Sequence, residues 1–225
     1  MTTTLNLLDP AQAGANWSYG LGIDQTHTDS PNEGNPSELE YYDPAQVSLG
    51  SAGAVFTAKT CTPHLCGDGK TRFVVSGAAN THNKRAWQPT AGKPVTITAR
   101  VKLPSGAGAW PAIWLLPASG VWTNEIDVLE YVRAAFNLHH NTPPATAWQI
   151  GPIDYGMTDP TNFHGYKVVW TTDHLEFSVD GRVVKTITDV TKIPAEPMYL
   201  IVNLAVVSTV GLPASLTLAS LTVSQ

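Results

Sequence analysis

Between residues 95 and 103 the chain alternates without a break: Val95, Ile97, Ala99, Val101 and Leu103 fall on one face, and Thr96, Thr98, Arg100 and Lys102 on the other. That period of two predicts a strand with one face in a core. Residues 199–207 are apolar almost throughout, the pattern of a central strand covered on both sides. Short runs at 38–42, 47–49, 54–58, 72–76, 166–171, 175–179, 182–187 and 216–223 predict further strands, and Asp180-Gly181 reads as a two-residue hairpin turn. Three stretches break the pattern. Residues 1–35 read as a long surface loop that Trp17 and Tyr19 anchor, and 80–93 as a loop carrying Trp87. Residues 141–162, interrupted by Pro143, Pro144, Gly151, Pro152, Gly156 and Pro160, read as a third loop, of the length that often rims a binding cleft. Phe163, Tyr166 and Trp170 are most simply core residues.

Composition narrows this to one class. A chain of 225 residues with 43% hydrophobic and 14% charged positions, 18 Gly and 17 Pro suits many short strands joined by turns, and its length suits a single all-β domain over residues 1–225. The net charge of −5 argues against a nucleic-acid partner, which selects a basic face. It is neutral on an uncharged polysaccharide. No run of 18 apolar residues is present to span a membrane, and MTTTLNLLDP lacks the basic and apolar segments of a signal peptide, so export is not written in this chain.

Candidate chemistry concentrates in residues 110–131, WPAIWLLPASGVWTNEIDVLEY. Glu125, Asp127 and Glu130 alternate there with Ile126, Val128 and Leu129, as in a half-buried strand. Strict alternation puts Glu125 and Asp127 on one face and Glu130 on the other; one extra residue in a β-bulge returns Glu130 to the first. The two glutamates then approximate an i, i+4 pair about 13 Å apart at Cα, and side chains leaning together can reach the roughly 5–5.5 Å between carboxyls that retaining glycosidases use. Acids alternating with aliphatics also describe the solvated face of an ordinary strand. Trp110, Trp114 and Trp122 tilt the choice, because flat rings beside clustered acids are what a carbohydrate cleft needs for stacking. In FNLHH, His139 and His140 point to opposite faces of a strand; such a histidine is either structural or part of the site. CTPHLC reads as a tight six-residue loop and predicts a local disulfide between Cys61 and Cys66 in an exported protein, with free thiols and a zinc site that includes His64 as the alternatives.

WPAIWLLP followed by W-x-x-EIDVLEY resembles the active-site block of the family 16 glycoside hydrolases, in the bulged E-x-D-x-x-E form of the laminarinase-like and agarase-like members. GNPSELEYYDPAQVSLGSAGAVFTAK, ARVKLP, NFHGYKVVWTTDHLEFSVDGRVV and PMYLIVNLAV resemble the same family in order and spacing, over roughly residues 15–223. The resemblance implies an all-β jelly roll: a β-sandwich of two antiparallel sheets in the concanavalin A-like lectin/glucanase fold, with the block lining a concave groove. It makes Glu125 the nucleophile, Glu130 the general acid and base, and Asp127 the residue that tunes them, with Trp110, Trp114 and Trp122 as sugar platforms. His139 matches the family histidine that points into the cleft, and Gln46 stands where many members carry a substrate-binding Asn. Charge from the neighbouring anions is expected to keep Glu130 protonated.

WQPTAGKPVTIT replaces the usual F-x-Y-G-x-x-E approach, so the distal groove is expected to differ. Ala219 occupies the position of an Asp that can help bind a structural calcium, so no cofactor is expected. The implied function is a monomeric, extracellular endo-β-1,3-glucanase acting on a polysaccharide. An endo-acting galactan hydrolase such as an agarase, and a non-catalytic glucan-binding module, are the alternatives.

Overall fold

The computed structural model describes residues 4–19, 37–50, 53–66, 69–120, 124–130, 135–140 and 148–225. Its strands in chain order are β1 (Thr4–Asn6), β2 (Ser18–Tyr19), β3 (Glu40–Tyr42), β4 (Val47–Gly50), β5 (Gly53–Leu65), β6 (Thr71–Ser76), β7 (Ala78–Asn80), β8 (Val95–Lys102) and β9 (Ala109–Pro117). There follow β10 (Asn124–Glu130), β11 (Ala135–His140), β12 (Trp148–Asp154), β13 (Phe163–Trp170), β14 (Leu175–Val179), β15 (Arg182–Ile187), β16 (Met198–Val206) and β17 (Ala214–Ser224).

They form two sheets. A ten-stranded sheet runs β15-β14-β13-β8-β17-β5-β6-β3, with β1 added on β17 and β4 on β5; a seven-stranded sheet runs β12-β11-β10-β9-β16-β7-β2. Pairing is antiparallel as expected, except that β3 lies parallel to β6. The alternation of β8 is realised in full: Val95, Ile97, Ala99 and Val101 are buried between the layers. All nine residues of β16 are buried, since one face meets the core and the other a second apolar cluster of Tyr42, Ala78, Leu116, Tyr199 and Ile201. Two sheets packed over one apolar layer make the jelly-roll sandwich that the sequence implied.

Several boundaries differ from expectation, each for a local reason. The N-terminal stretch is not only loop: β1 pairs with β17 and β2 with β7, and buried Trp17 donates its indole N–H to the Leu7 carbonyl at 2.6 Å. Residues 20–36 lie outside the described set. The expected loop at 141–162 contains β12, hidden in the sequence by Gly151 and Pro152. Both are tolerated because β12 is the outermost strand of its sheet and its register with β11 shifts there. Phe163 is not a core residue; it is partly exposed beneath the Arg100 guanidinium, 5.1 Å from the ring centroid.

The disulfide is corrected as well. Cys61 and Cys66 are both free, because residues 61–65 are the end of the 13-residue β5, with Cys66 just beyond it, and not a tight loop. An extended backbone advances about 3.3 Å per residue and spreads the thiols along the strand.

Candidate active site

β10 lies between β9 and β11, third from one end of the seven-stranded sheet. Glu125 pairs with His139 and Asp127 with Asn137 on β11, while Asp127 pairs with Trp114 on β9. After Asp127 the register slips. On the β9 side the next pair is Leu129 with Ile113, and on the β11 side it is Glu130 with Ala135. β10 therefore carries one residue more than either neighbour, the expected bulge. Its consequence is visible in burial: Ile126, Val128 and Leu129 are all sealed in the core, and Glu125, Asp127 and Glu130 share the opposite face.

The neighbouring strands then dress these acids. Trp110 stands on β9 two residues before Ala112, the partner of Glu130, so its side chain rises on the same face. Its Nε1 donates to Glu130 Oε1 at 3.0 Å. The other oxygen of Glu130 accepts from the Asn137 amide, whose own Oδ1 accepts from Gln149 Nε2 at 3.1 Å. His139 Nε2 lies 3.3 Å from Asp127 Oδ2 and 3.9 Å from Glu125 Oε1. His139 thus stands beside two of the three acids.

Burial governs the electrostatics. It pushes the Glu125 carboxyl well above the usual range, helped by the Asp127 charge beside it, with His139 pulling the other way. Asp127 is also raised well above its ordinary value, first by burial and then by Glu130, and a hydrogen bond joins it to Glu125. Glu130 is raised too, but by burial and not by neighbouring anions as the sequence suggested; the Trp110 hydrogen bond opposes that rise. One proton shared within the Glu125–Asp127 pair leaves it a single negative charge in a poorly solvated site. Donor atoms of Glu125, Asp127 and His139 lie within 4.8 Å of one another, a spacing that also suits a cation.

The other predicted residues separate. Trp114 is half-buried; its Nε1 donates to Asn203 Oδ1 at 2.8 Å, and Asn203 donates in turn to the Tyr42 hydroxyl at 3.1 Å. The ring is thus held in place on the face that carries the acids. Gln46 ends a short turn, Pro44–Gln46, packed over Gly77 beside β7, and so lies across β16 and β9 from the acids. Trp122 lies outside the described residues. Asn137, Gln149, Asn203 and Tyr42 escaped the sequence reading. Amides and a phenol inside apolar strands carry no spacing signal, and their only mark is being polar at a groove-facing position.

Paired glutamates on one face of a sandwich sheet, one gripped by an indole, define the class: glycosidases that work through two carboxylates. The chain belongs to the glycosyl hydrolases family 16, whose family model matches residues 94–211. It is 30% identical over 216 residues to a beta-glucanase of Rhodothermus marinus, covering 84% of this chain and 69% of that protein. It is 32% identical over 124 residues to the endo-1,3-1,4-beta-glycanase EglC of Rhizobium meliloti (strain 1021), over 51% of this chain and only 25% of that longer protein. In three dimensions it resembles the endo-beta-1,3-glucanase of Pyrococcus furiosus, with a TM-score of 0.75, 25% identity, and coverage of 94% of this chain and 88% of that one. The laminarinase catalytic domain of Thermotoga maritima shares the fold with a TM-score of 0.77 over 99% of this chain and 96% of that one, at 24% identity.

Proposed function

We propose that the chain is an endo-acting, retaining hydrolase of β-1,3-glucan. The observation that carries this is the bulge at Val128–Leu129, which turns Glu125 and Glu130 to one face. Glu125 attacks the anomeric carbon while Glu130 gives its proton to the departing oxygen, leaving a glycosyl ester on Glu125. Glu130, now ionised, takes a proton from water, which attacks the same carbon and frees Glu125. Burial keeps Glu130 protonated long enough to act as the acid. The proton shared by Glu125 and Asp127, when it rests on Asp127, leaves Glu125 the anion that attacks.

The names of the relatives support glucan as the polymer. Trp110 and Trp114 on the groove face suit stacking against its rings. A polymer of this size is met outside cells, so the reading carries with it an extracellular site of action. It needs no cofactor and no second copy of the chain.

The test is release of reducing ends from laminarin, mixed-linkage glucan, agarose and carrageenan, with NMR of anomeric protons in the first minutes. Laminarin cleavage with the β-anomer appearing first is expected. The α-anomer first rejects double displacement, cleavage of agarose alone moves the substrate to galactan, and binding without any reducing ends makes the chain a glucan-binding module.

A further inference from the structure

Glu130 is held at both oxygens, and only one of the holders, Trp110, belongs to the sequence block that flagged the site. The other is Asn137 on β11, 1% exposed, set opposite Asp127 in the strand pairing. Its amide has two ends with different chemistry, NH2 and C=O, and the surroundings allow one orientation. The carbonyl end accepts from Gln149 Nε2 at 3.1 Å, and the NH2 end donates to Glu130. A flip sets the NH2 against the Gln149 donor and turns the oxygen on the carboxylate, so both hydrogen bonds are lost.

The backbone closes the remaining freedom. Gly151 on β12, with φ of +120°, passes so near that a Cβ there would lie 2.4 Å from Asn137 Oδ1 and 2.6 Å from the Phe136 carbonyl oxygen. Only glycine adopts that conformation without strain and leaves that space. Three strands thus converge on one carboxyl: β9 through Trp110, β11 through Asn137, and β12 through Gln149 and Gly151.

We propose that Asn137, locked by Gln149 and the close passage of Gly151, is a positioning residue that aims the proton of Glu130 at the departing oxygen. Trp110 Nε1 and Asn137 Nδ2 are donors only, so each occupies one lone-pair direction on its own oxygen of Glu130. A proton on Glu130 takes a remaining direction, and the groove is where that direction is open. The hydrogen bond from Asn137 also favours the ionised carboxyl, which Glu130 must become between the two steps. This rests on Glu130 being the acid, as proposed above.

The experiment compares laminarin with a laminaribioside carrying a 2,4-dinitrophenolate leaving group, which departs without a proton. For Asn137→Ala, kcat/KM on laminarin is expected to fall about 10- to 100-fold, within the range a general acid supplies, while kcat/KM on the activated glycoside falls less than about threefold. KM is expected to hold, and the alkaline limb of the pH profile to move up. Asn137→Asp, which faces Glu130 with an anion, moves that limb further. Gln149→Ala, truncating an exposed side chain, gives the same split at about three- to tenfold and serves if the Asn137 variants do not fold. Equal losses on both substrates with an unmoved pH profile make Asn137 merely structural and overturn the inference. Glu130→Gln is the reference: a leaving-group split there but not in the Asn137 and Gln149 variants overturns this inference alone, whereas no split in Glu130→Gln overturns the acid assignment itself.

Discussion

Trp110 has two roles that one substitution can separate. The sequence marked it as a ring for stacking, while its Nε1 lies 3.0 Å from the Glu130 carboxyl. Trp110→Phe keeps a ring on the groove face and removes only the donor. The expected result is a fall in kcat of about tenfold with oligosaccharide affinity changed less than threefold, read by turnover together with calorimetric binding on a Glu125→Gln background. Trp110→Ala is expected to lose both. Equal loss of affinity in the Phe and Ala variants puts the indole edge, not the face, against the sugar. The acids themselves were legible because their spacing, E-x-D-x-x-E, is a pattern within one strand. Asn137 and Gln149 were not, because Asn137 meets Glu130 only once β11 has paired with β10, and Gln149 meets Asn137 only once β12 has paired with β11.

Strands were legible wherever period or apolar run stood clear, as in β8 and β16, and illegible where turn-forming residues sat inside a strand. β12 carries Gly151 and Pro152, and β5 carries Pro63 within CTPHLC; each was read as a loop. The physical reason is the same in both. A shift in register lets a strand absorb a residue that cannot hold its place in a regular ladder, and such shifts fall in β12 against β11 and in β5 against β6. For β5 the misreading has a chemical consequence. In denaturant without reductant, both Cys61 and Cys66 are expected to alkylate, adding two labels by intact mass. In the folded protein, half-exposed Cys61 should react ahead of buried Cys66. A denatured, unreduced chain that takes no label would restore the disulfide.

For the molecule as a whole, the groove acids are a stability cost that varies with pH. Glu125, Asp127 and Glu130 are raised by burial, and so is Glu40, fully buried where it accepts from the Val206 N–H at 2.8 Å. Each carboxyl binds its proton more tightly folded than unfolded. Its contribution is therefore complete below the ordinary carboxylate range and is lost as pH climbs through its raised value. Asp173 and Asp189, lowered by hydrogen bonds from Thr171 and Thr191, act in the opposite sense, but from exposed turns where solvent screens them. Tm is thus expected to be higher at pH 5 than at pH 8, and Glu40→Gln to flatten the difference by a few degrees, roughly 2–4 °C for each kcal/mol recovered. Glu125→Gln is expected to abolish turnover and yet to match or exceed the parent Tm at pH 8. A parent Tm that rises steadily from pH 5 to pH 8 would falsify this reading of the buried acids.

The irregularity of β12 bears on more than Asn137. Among the described residues it is the outermost strand of its sheet, and an unpaired sheet edge is a template on which another chain can add a strand. Pro152 supplies no N–H to such a partner, and the shifted register at Gly151–Pro152 spoils the even spacing that a straight partner strand would need. Gly151 crowds Asn137 on one side of the strand, and the irregularity it shares with Pro152 makes the other side a poor seed for self-association.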